Sequence, residues 1–305
     1  MTIELLRQLI NIPSTTGDEA RMSKFIFDYV NEHKASWKVQ PEVLSGEDFQ
    51  DGLLLVFGQP TCAAYAHMDT VGFTARYENQ LLPVGSPAVC SGDKIQGKDS
   101  LGDIQCQVEL QDSGHMYQDF GRAIDRGTAL TYAQNWQENA KTISTPYLDN
   151  RVGIFTLLTL AENLQNGALV FGSGEEHGGG GAGFLARYLY ENYRVQQSLI
   201  ADVTWVTDGV AAGEGVAISL RDSFIPRKSY VEKVLSIARA SSVRFQLEVE
   251  GAGGSDGSEI HVQPYPIDWC FIGAPILHPH AALETINKQD LHAMVDMYEV
   301  LMAEL

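Results

Sequence analysis

Basic residues are scarce in this chain: 21 lysines and arginines stand against 39 aspartates and glutamates, a formal charge of −18. Nucleic acids and anionic membrane surfaces are recognised through basic patches, so this balance argues against both as partners. Long apolar runs are also missing, and none approaches the roughly 20 residues that span a bilayer. The opening Met-Thr-Ile-Glu has no basic region followed by an apolar stretch, which predicts a cytoplasmic protein rather than a secreted one. Cysteine is sparse. Cys62, Cys90, Cys106 and Cys270 are scattered without a Cys-x-x-Cys pair, so reduced, buried thiols are expected rather than disulfides or a thiolate metal site.

What is present suits a globular enzyme. The 305 residues, 44% hydrophobic and 20% charged, allow one large α/β domain or one carrying a smaller companion. Residues 3–10 and 18–33 repeat apolar positions at helical spacing, with Ser14, Thr15 and Asp18 as candidate caps of the second helix. LLLVF at 53–57 and CAAYA at 62–66 read as buried strands. Residues 74–145 change character: turn signals and alternating segments such as IQCQVEL predict a small all-β unit inserted into the α/β chain. From Tyr147 onward strand and helix alternate again. Helices are expected at 151–164, 182–193, 229–240 and 288–304, and strands at 168–172, 199–203, 243–249 and 267–272. The fold expected is α/β, a mostly parallel mixed sheet with helices on both faces. The catalytic domain would comprise 1–73 and 146–305, and the insert 74–145.

Five short stretches carry chemistry. His67 and Asp69 fall where a buried strand ends, the usual place for active sites in open α/β sheets; a carboxylate two residues on can hold the second ring nitrogen of a ligating histidine. Asp149 opens a helix, where an aspartate is either a plain N-cap or a carboxylate bridging two metals. Glu175 and Glu176 follow a strand in GSGEEH. They are either an exposed acidic turn or a division of labour, with Glu176 on a metal and Glu175 taking a proton from water. The glycines that follow lack the Gly-Lys-Ser/Thr of a phosphate loop. Asp202 sits at another strand end, where a simple loop cap is the alternative. In PILHPHAALE, His278 and His280 compete as ligands, and residue chemistry alone does not separate them. Two histidines with two aspartates and a glutamate suit zinc-type ions rather than calcium, and five donors are too many for one catalytic zinc with an open position.

Taken in order, AHMDTVGF at 66–73, LDNRVG at 148–153, GSGEE at 172–176, ADVT at 201–204, GEGVAISLRD at 213–222, GGSD at 253–256 and IGAPILHPHAALE at 272–284 resemble the glutamyl/deblocking aminopeptidases. These are co-catalytic dinuclear metallopeptidases, some of which build tetrahedral dodecamers. The resemblance implies one metal on His67, Asp202 and bridging Asp149, and another on Glu176, His280 and Asp149. It makes Asp69 the residue that orients His67 and Glu175 the base, and its spacing selects His280 over His278. It implies two divalent ions per chain, zinc or else cobalt or manganese, a peptide with a free N-terminus as substrate, and a homo-oligomer assembled through the insert. Before His280 this chain has Ile276-Leu277-His278-Pro279 where the family commonly has an Arg-Tyr pair, and His177 after the glutamates is unusual. An N-acyl amino acid deacylase or dipeptidase of the related branch uses the same ligand types but places its extra domain after the third carboxylate; here the insert precedes Asp149. A metal-free binding protein of the same fold is the remaining alternative. Arg221, Arg227 and Lys228 are candidates for a basic specificity pocket, with a solvated loop as their plainer reading.

Overall fold

Leu53–Phe57 and Cys62–His67 are strands buried along their whole length, and strands covered on both faces read as unbroken apolar runs. They lie inside an eleven-stranded mixed sheet in a computed structural model that describes residues 3–305; the first two of the four opening residues read above for targeting fall outside it. Four neighbouring strands, Gly167–Gly172, Cys62–His67, Gln197–Trp205 and Asp268–Leu277, run parallel. Antiparallel pairs flank them, with Glu42–Leu44 and Leu53–Phe57 on one side and Glu284–Asn287, Thr142–Thr145 and Gln137–Glu138 on the other. The parallel pairing expected from sequence is thus concentrated where the site residues lie.

Alternation along each strand builds two cores. Leu53, Leu55 and Phe57 join Ala64, Ala66, Leu199 and Ala201 on one face, together with Leu6, Leu157, Val234 and Leu301 of the helices Ile3–Ile10, Leu148–Ala161, Lys228–Ala240 and Lys288–Glu304. Leu54, Val56, Ala63, Tyr65 and Ile200 point to the other face. There they meet Leu185 and Leu189 of helix Gly181–Tyr193 and Ile260 of the short helix Asp256–His261. Successive side chains of a strand face opposite ways, so helices cover both faces, as expected. Leu148–Ala161 is buried on almost every side and has no polar stripe, the pattern of a helix enclosed by its own domain.

The inserted β unit is a closed barrel of six strands lying between Gly72 and Tyr132. In Gly102–Leu110 only Ile104, Cys106 and Val108 turn inward, the period-2 pattern that marked the segment. The expected boundary at 145 differs from the topology: the Gln137–Thr145 hairpin pairs with Glu284–Asn287 in the large sheet. Its alternating pattern matches the barrel's, and alternation does not reveal which sheet a strand joins. Short elements escaped the sequence pattern too, among them Val216–Ser219, Asp256–His261 and Glu284–Asn287. Cys62, Cys106 and Cys270 are buried and Cys90 is exposed; all four are free.

The expected caps have other work. Helix Ala20–His33 has no side-chain cap. Ser14 donates its hydroxyl to the Met68 carbonyl at 2.6 Å, and Thr15 bridges to Thr70. Arg151 completes this stitch from the helix above. Fully buried, it donates to the carbonyls of Met68 at 2.7 Å and Ile12 at 3.1 Å and to the Ser14 hydroxyl at 2.6 Å, while burial pushes its guanidinium down to about 10. One side chain therefore ties the N-terminal segment to the end of the His67 strand. Arg151→Met is expected to leave these acceptors unmet and cost about 3 kcal/mol or more, at roughly 1–3 kcal/mol per unsatisfied buried group. The measurement is the urea midpoint at fixed protein concentration and unchanged m.

Candidate metal centre

The parallel strands bring their ends to one level. Gly172 pairs with His67, and Asp202 lies two steps beyond the paired Ile200 and Tyr65. Helix Leu148–Ala161 reaches the same place because its first turn is broken: Asp149 and Asn150 have non-helical backbone. Asn150 donates to the Ala201 carbonyl at 2.9 Å and accepts the Gly153 N–H at 2.8 Å. A Cβ at Gly153 would lie 2.1 Å from the Ala201 carbonyl oxygen, so only glycine lets the helix approach the Asp202 strand this closely. The plain N-cap reading of Asp149 does not hold, since its neighbour Asn150 accepts the first-turn N–H of Gly153 and the Asp149 carboxylate faces the histidines instead.

Asp149 faces both histidines. Its Oδ1 is 3.2 Å from His67 Nε2 and its Oδ2 3.2 Å from His280 Nε2. Asp202 Oδ2 is 3.5 Å from His67 Nε2, and Glu176 Oε2 is 3.6 Å from His280 Nε2. His67, Asp149 and Glu176 each offer a ligand atom within 4.8 Å of the others. The structure thus draws together His67, Asp149, Glu176, Asp202 and His280, with Glu175 on the wall of the same cleft of about 390 Å³. His278 is exposed and outside this cleft. His177 is exposed as well and accepts the Gly85 N–H at 3.0 Å.

Asp69 lies behind His67 and also engages the turn that carries both glutamates. Its Oδ1 is 3.4 Å from His67 Nδ1 and accepts the Glu175 N–H at 3.1 Å; its Oδ2 accepts the Glu176 N–H at 3.0 Å and the Thr16 hydroxyl at 2.7 Å. Burial works against its charge, but His67, Thr16 and the Glu176 N–H outweigh that and hold its carboxyl below the usual range. Two residues not singled out from sequence also support the centre. Glu284, buried, accepts the Asp149 N–H at 3.0 Å and the His280 N–H at 2.7 Å, one on each oxygen. Ser86, on the segment between two barrel strands, sits 3.0 Å from His280 Nδ1 through its hydroxyl and 3.1 Å through its carbonyl. The glutamate four residues after His280 was visible in the sequence; Ser86 left no signal, because its partner lies 194 positions away.

The electrostatics call for cations. Burial, followed by neighbouring charges, pushes Glu175 up to about 7 and Asp202 up to about 6, and it drives Glu176 well above its ordinary value. Glu176 Oε1 is buried with no hydrogen-bond partner. Buried carboxylates persist when paired or bound to metal, and a ligand oxygen without a protein partner fits a coordinating role. The donor set accordingly suits divalent ions bound by nitrogen and oxygen.

The M42 glutamyl aminopeptidase family matches residues 109–297. An aminopeptidase from the archaeon Desulfurococcus kamchatkensis superposes with a TM-score of 0.88 at 19% identity, over 99% of this chain and 94% of its own. The TET1 peptidase of Pyrococcus horikoshii does so with a TM-score of 0.84 at 23% identity, over 99% of both chains. A curated protein of Acetivibrio thermocellus, provisionally named an aminopeptidase, is 24% identical over 330 residues, 96% of each chain. The structural likenesses establish the shared fold, while the family match covers more than half of the sequence and includes Asp149, Glu175, Glu176, Asp202 and His280. The chain belongs to the M42 glutamyl aminopeptidase family.

Proposed function

We propose that this metal-dependent aminopeptidase removes the residue at the free N-terminus of a peptide using two divalent ions, one held by His67, Asp149 and Asp202 and the other by Asp149, Glu176 and His280. The observation that carries this reading is the placement of Asp149, whose two oxygens each stand 3.2 Å from a different histidine. Zinc suits the mixed imidazole and carboxylate donors best, with cobalt and manganese compatible. Bound there, the ions supply Lewis acidity toward a peptide carbonyl and make water acidic enough to ionise near neutrality.

The chain's own groups do the rest. Glu175 lines the cleft, is not needed as a ligand, and is held by Asp69 through its backbone N–H at 3.1 Å. It accepts the proton of the attacking water and passes it to the departing amine. Asp69 fixes His67 and the turn bearing both glutamates, so ligand and base keep a constant relation. Glu284 does the same for Asp149 and His280.

The barrel serves assembly in this reading. Tyr77, Leu82, Leu101 and Leu110 are large apolar residues exposed on it, Leu101 by 71%, and a subunit contact would cover them. The Pyrococcus horikoshii peptidase assembles into a tetrahedron or an octahedral shell. A cytoplasmic location agrees with four free thiols, one of them exposed. No helix among the described residues is long and apolar enough to cross a membrane.

Glu175→Gln is expected to lower kcat by roughly two to four orders of magnitude, the usual scale for a positioned acid–base group, while bound metal measured by elemental analysis stays at the wild-type level. Near-full activity of that variant refutes the base assignment. Purified protein is expected to carry about two equivalents of metal, to lose activity on chelation and to regain it with divalent ions. Glu284→Gln is expected to weaken metal affinity by about 10–100-fold, as losses of outer-shell partners do, read by competition with a chromogenic chelator. Leu101→Glu is expected to shift the light-scattering mass toward smaller species if the barrel forms the subunit contact.

A further inference from the structure

The cleft extends past the metal ligands, and its far wall is acidic. Asp222, Glu248 and Glu250 line it together with the five ligands and Glu175. Four carboxylates of the centre are accounted for by metal binding and base chemistry; these three are not. Among the described residues no lysine or arginine lines the cleft. Arg221, the nearest candidate from sequence, turns its Nε to the backbone carbonyls of Asp222 at 3.1 Å and Glu250 at 3.2 Å. Arg227 pairs with Asp268, and Lys228 approaches Glu232 at 3.7 Å, both outside the cleft. Among the described residues no cation forms an ion pair with any of the three carboxylates, and Arg221 and His261 act on Asp222 only at longer range.

Two of these acids are more than nine-tenths buried, Asp222 at 8% and Glu248 at 4% exposure. Asp222 accepts the Phe224 N–H on Oδ1 at 2.6 Å, and its other oxygen has no hydrogen-bond partner among the described residues although the residue faces the cleft. Glu248 accepts the Thr204 hydroxyl. Thr204 is two residues beyond the ligand Asp202 on one strand, so it looks the same way and stands about 7 Å further along. That is the reach of a side chain with an ammonium on a four-carbon stem. Phe271 and Trp205 also line the cleft and offer apolar surface to such a stem while its charged head goes to oxygen. The two loops bearing the acids are held together: Glu250 N–H donates to the Arg221 carbonyl at 3.0 Å, and Ser223 donates to the Gly253 carbonyl.

We infer that this acidic wall is the specificity pocket for the N-terminal residue and takes a cationic side chain, lysine or arginine, in preference to an acidic or aliphatic one. The inference rests on the aminopeptidase reading and narrows it, against the acidic preference in the family's description. Buried like charges without a counter-ion are costly, and a substrate cation removes that cost at the moment of binding. A glutamate side chain there would add a fourth carboxylate.

The test uses the metal-loaded full chain and aminoacyl-coumarin amides of lysine, arginine, leucine and glutamate. The expected kcat/KM for lysine and arginine exceeds that for leucine by about tenfold or more, and glutamate is the poorest, as a site built for one charge rejects its opposite. Glu250→Gln, at a partly buried position, and Asp222→Asn each bring the lysine-to-leucine ratio toward one. Preference for leucine or glutamate overturns the inference. So does an equal loss on all substrates in both variants, which would place the carboxylates on the α-amine common to every substrate. A second readout needs no turnover: calorimetric binding of free lysine, leucine and glutamate to metal-loaded Glu175→Gln protein, with lysine about tenfold tighter expected. Selective lysine binding to that variant, with a wild-type enzyme that cleaves none of the amides, sinks the aminopeptidase reading and leaves the pocket standing; unselective binding overturns the pocket.

Discussion

Asp149, Glu176 and Asp202 each stand 3.2 to 3.6 Å from a ring nitrogen of His67 or His280, which crowds three carboxylates into one buried cluster, and like charges so gathered repel unless something fixes and neutralises them. The neighbouring architecture is organised against that repulsion. Parallel strands end at one level, so backbone geometry and not side-chain flexibility brings His67, the Glu175–Glu176 turn and Asp202 together. A broken first turn and a glycine with no room for a methyl group set Asp149 between the histidines. Behind the donors, Asp69 and Glu284 each use both oxygens, so the atoms facing the cleft are held from the rear by backbone N–H groups. Rigid support of this kind is what a metal site requires of its surroundings.

The support is distributed unevenly. The His67 side is anchored by the domain itself, through Asp69, Ser14 and Arg151. The His280 side depends on a loop with a left-handed residue at His280, on Glu284, and on the barrel segment that supplies Ser86 and the Ala88 N–H to the His280 carbonyl at 3.0 Å. The insert is therefore part of the catalytic scaffold as well as a candidate surface for assembly. A charge-lined cleft beside such a centre also discriminates among substrates, since the carboxylates left over after metal binding act on whatever side chain enters.

Much of this was legible in the residues. Buried strands, amphipathic helices and the barrel's alternation follow from apolar periodicity, and every proposed ligand lies in a short motif at a strand end or helix start. His280 and His278 were inseparable by chemistry, and the fold distinguishes them by turning one into the cleft and leaving the other exposed. The Gln137–Thr145 hairpin went to the large sheet because pairing partners are chosen over long separations that alternation does not record. Val216–Ser219 and Glu284–Asn287 are four-residue strands whose partners define them. Ser86 and Glu248 lie in none of the motifs and Asp222 closes the 213–222 motif without a role read from it; all three become functional candidates only through where the chain brings them. Arg221 shows the converse: a basic residue near the right loop, spent on backbone carbonyls.

Glu284 grips the backbone of both Asp149 and His280, residues from the middle and the end of the chain. Neither N–H has that partner until the strand Glu284–Asn287 has docked beside Thr142–Thr145. The order of events during synthesis follows. A nascent chain that has released its His67 strand and even its helix at Asp149 still lacks the residues that complete and brace the site. Full bracing of the proposed ligands is thus deferred until Glu284–Asn287 has docked, well after the His67 strand and the Asp149 helix have been made.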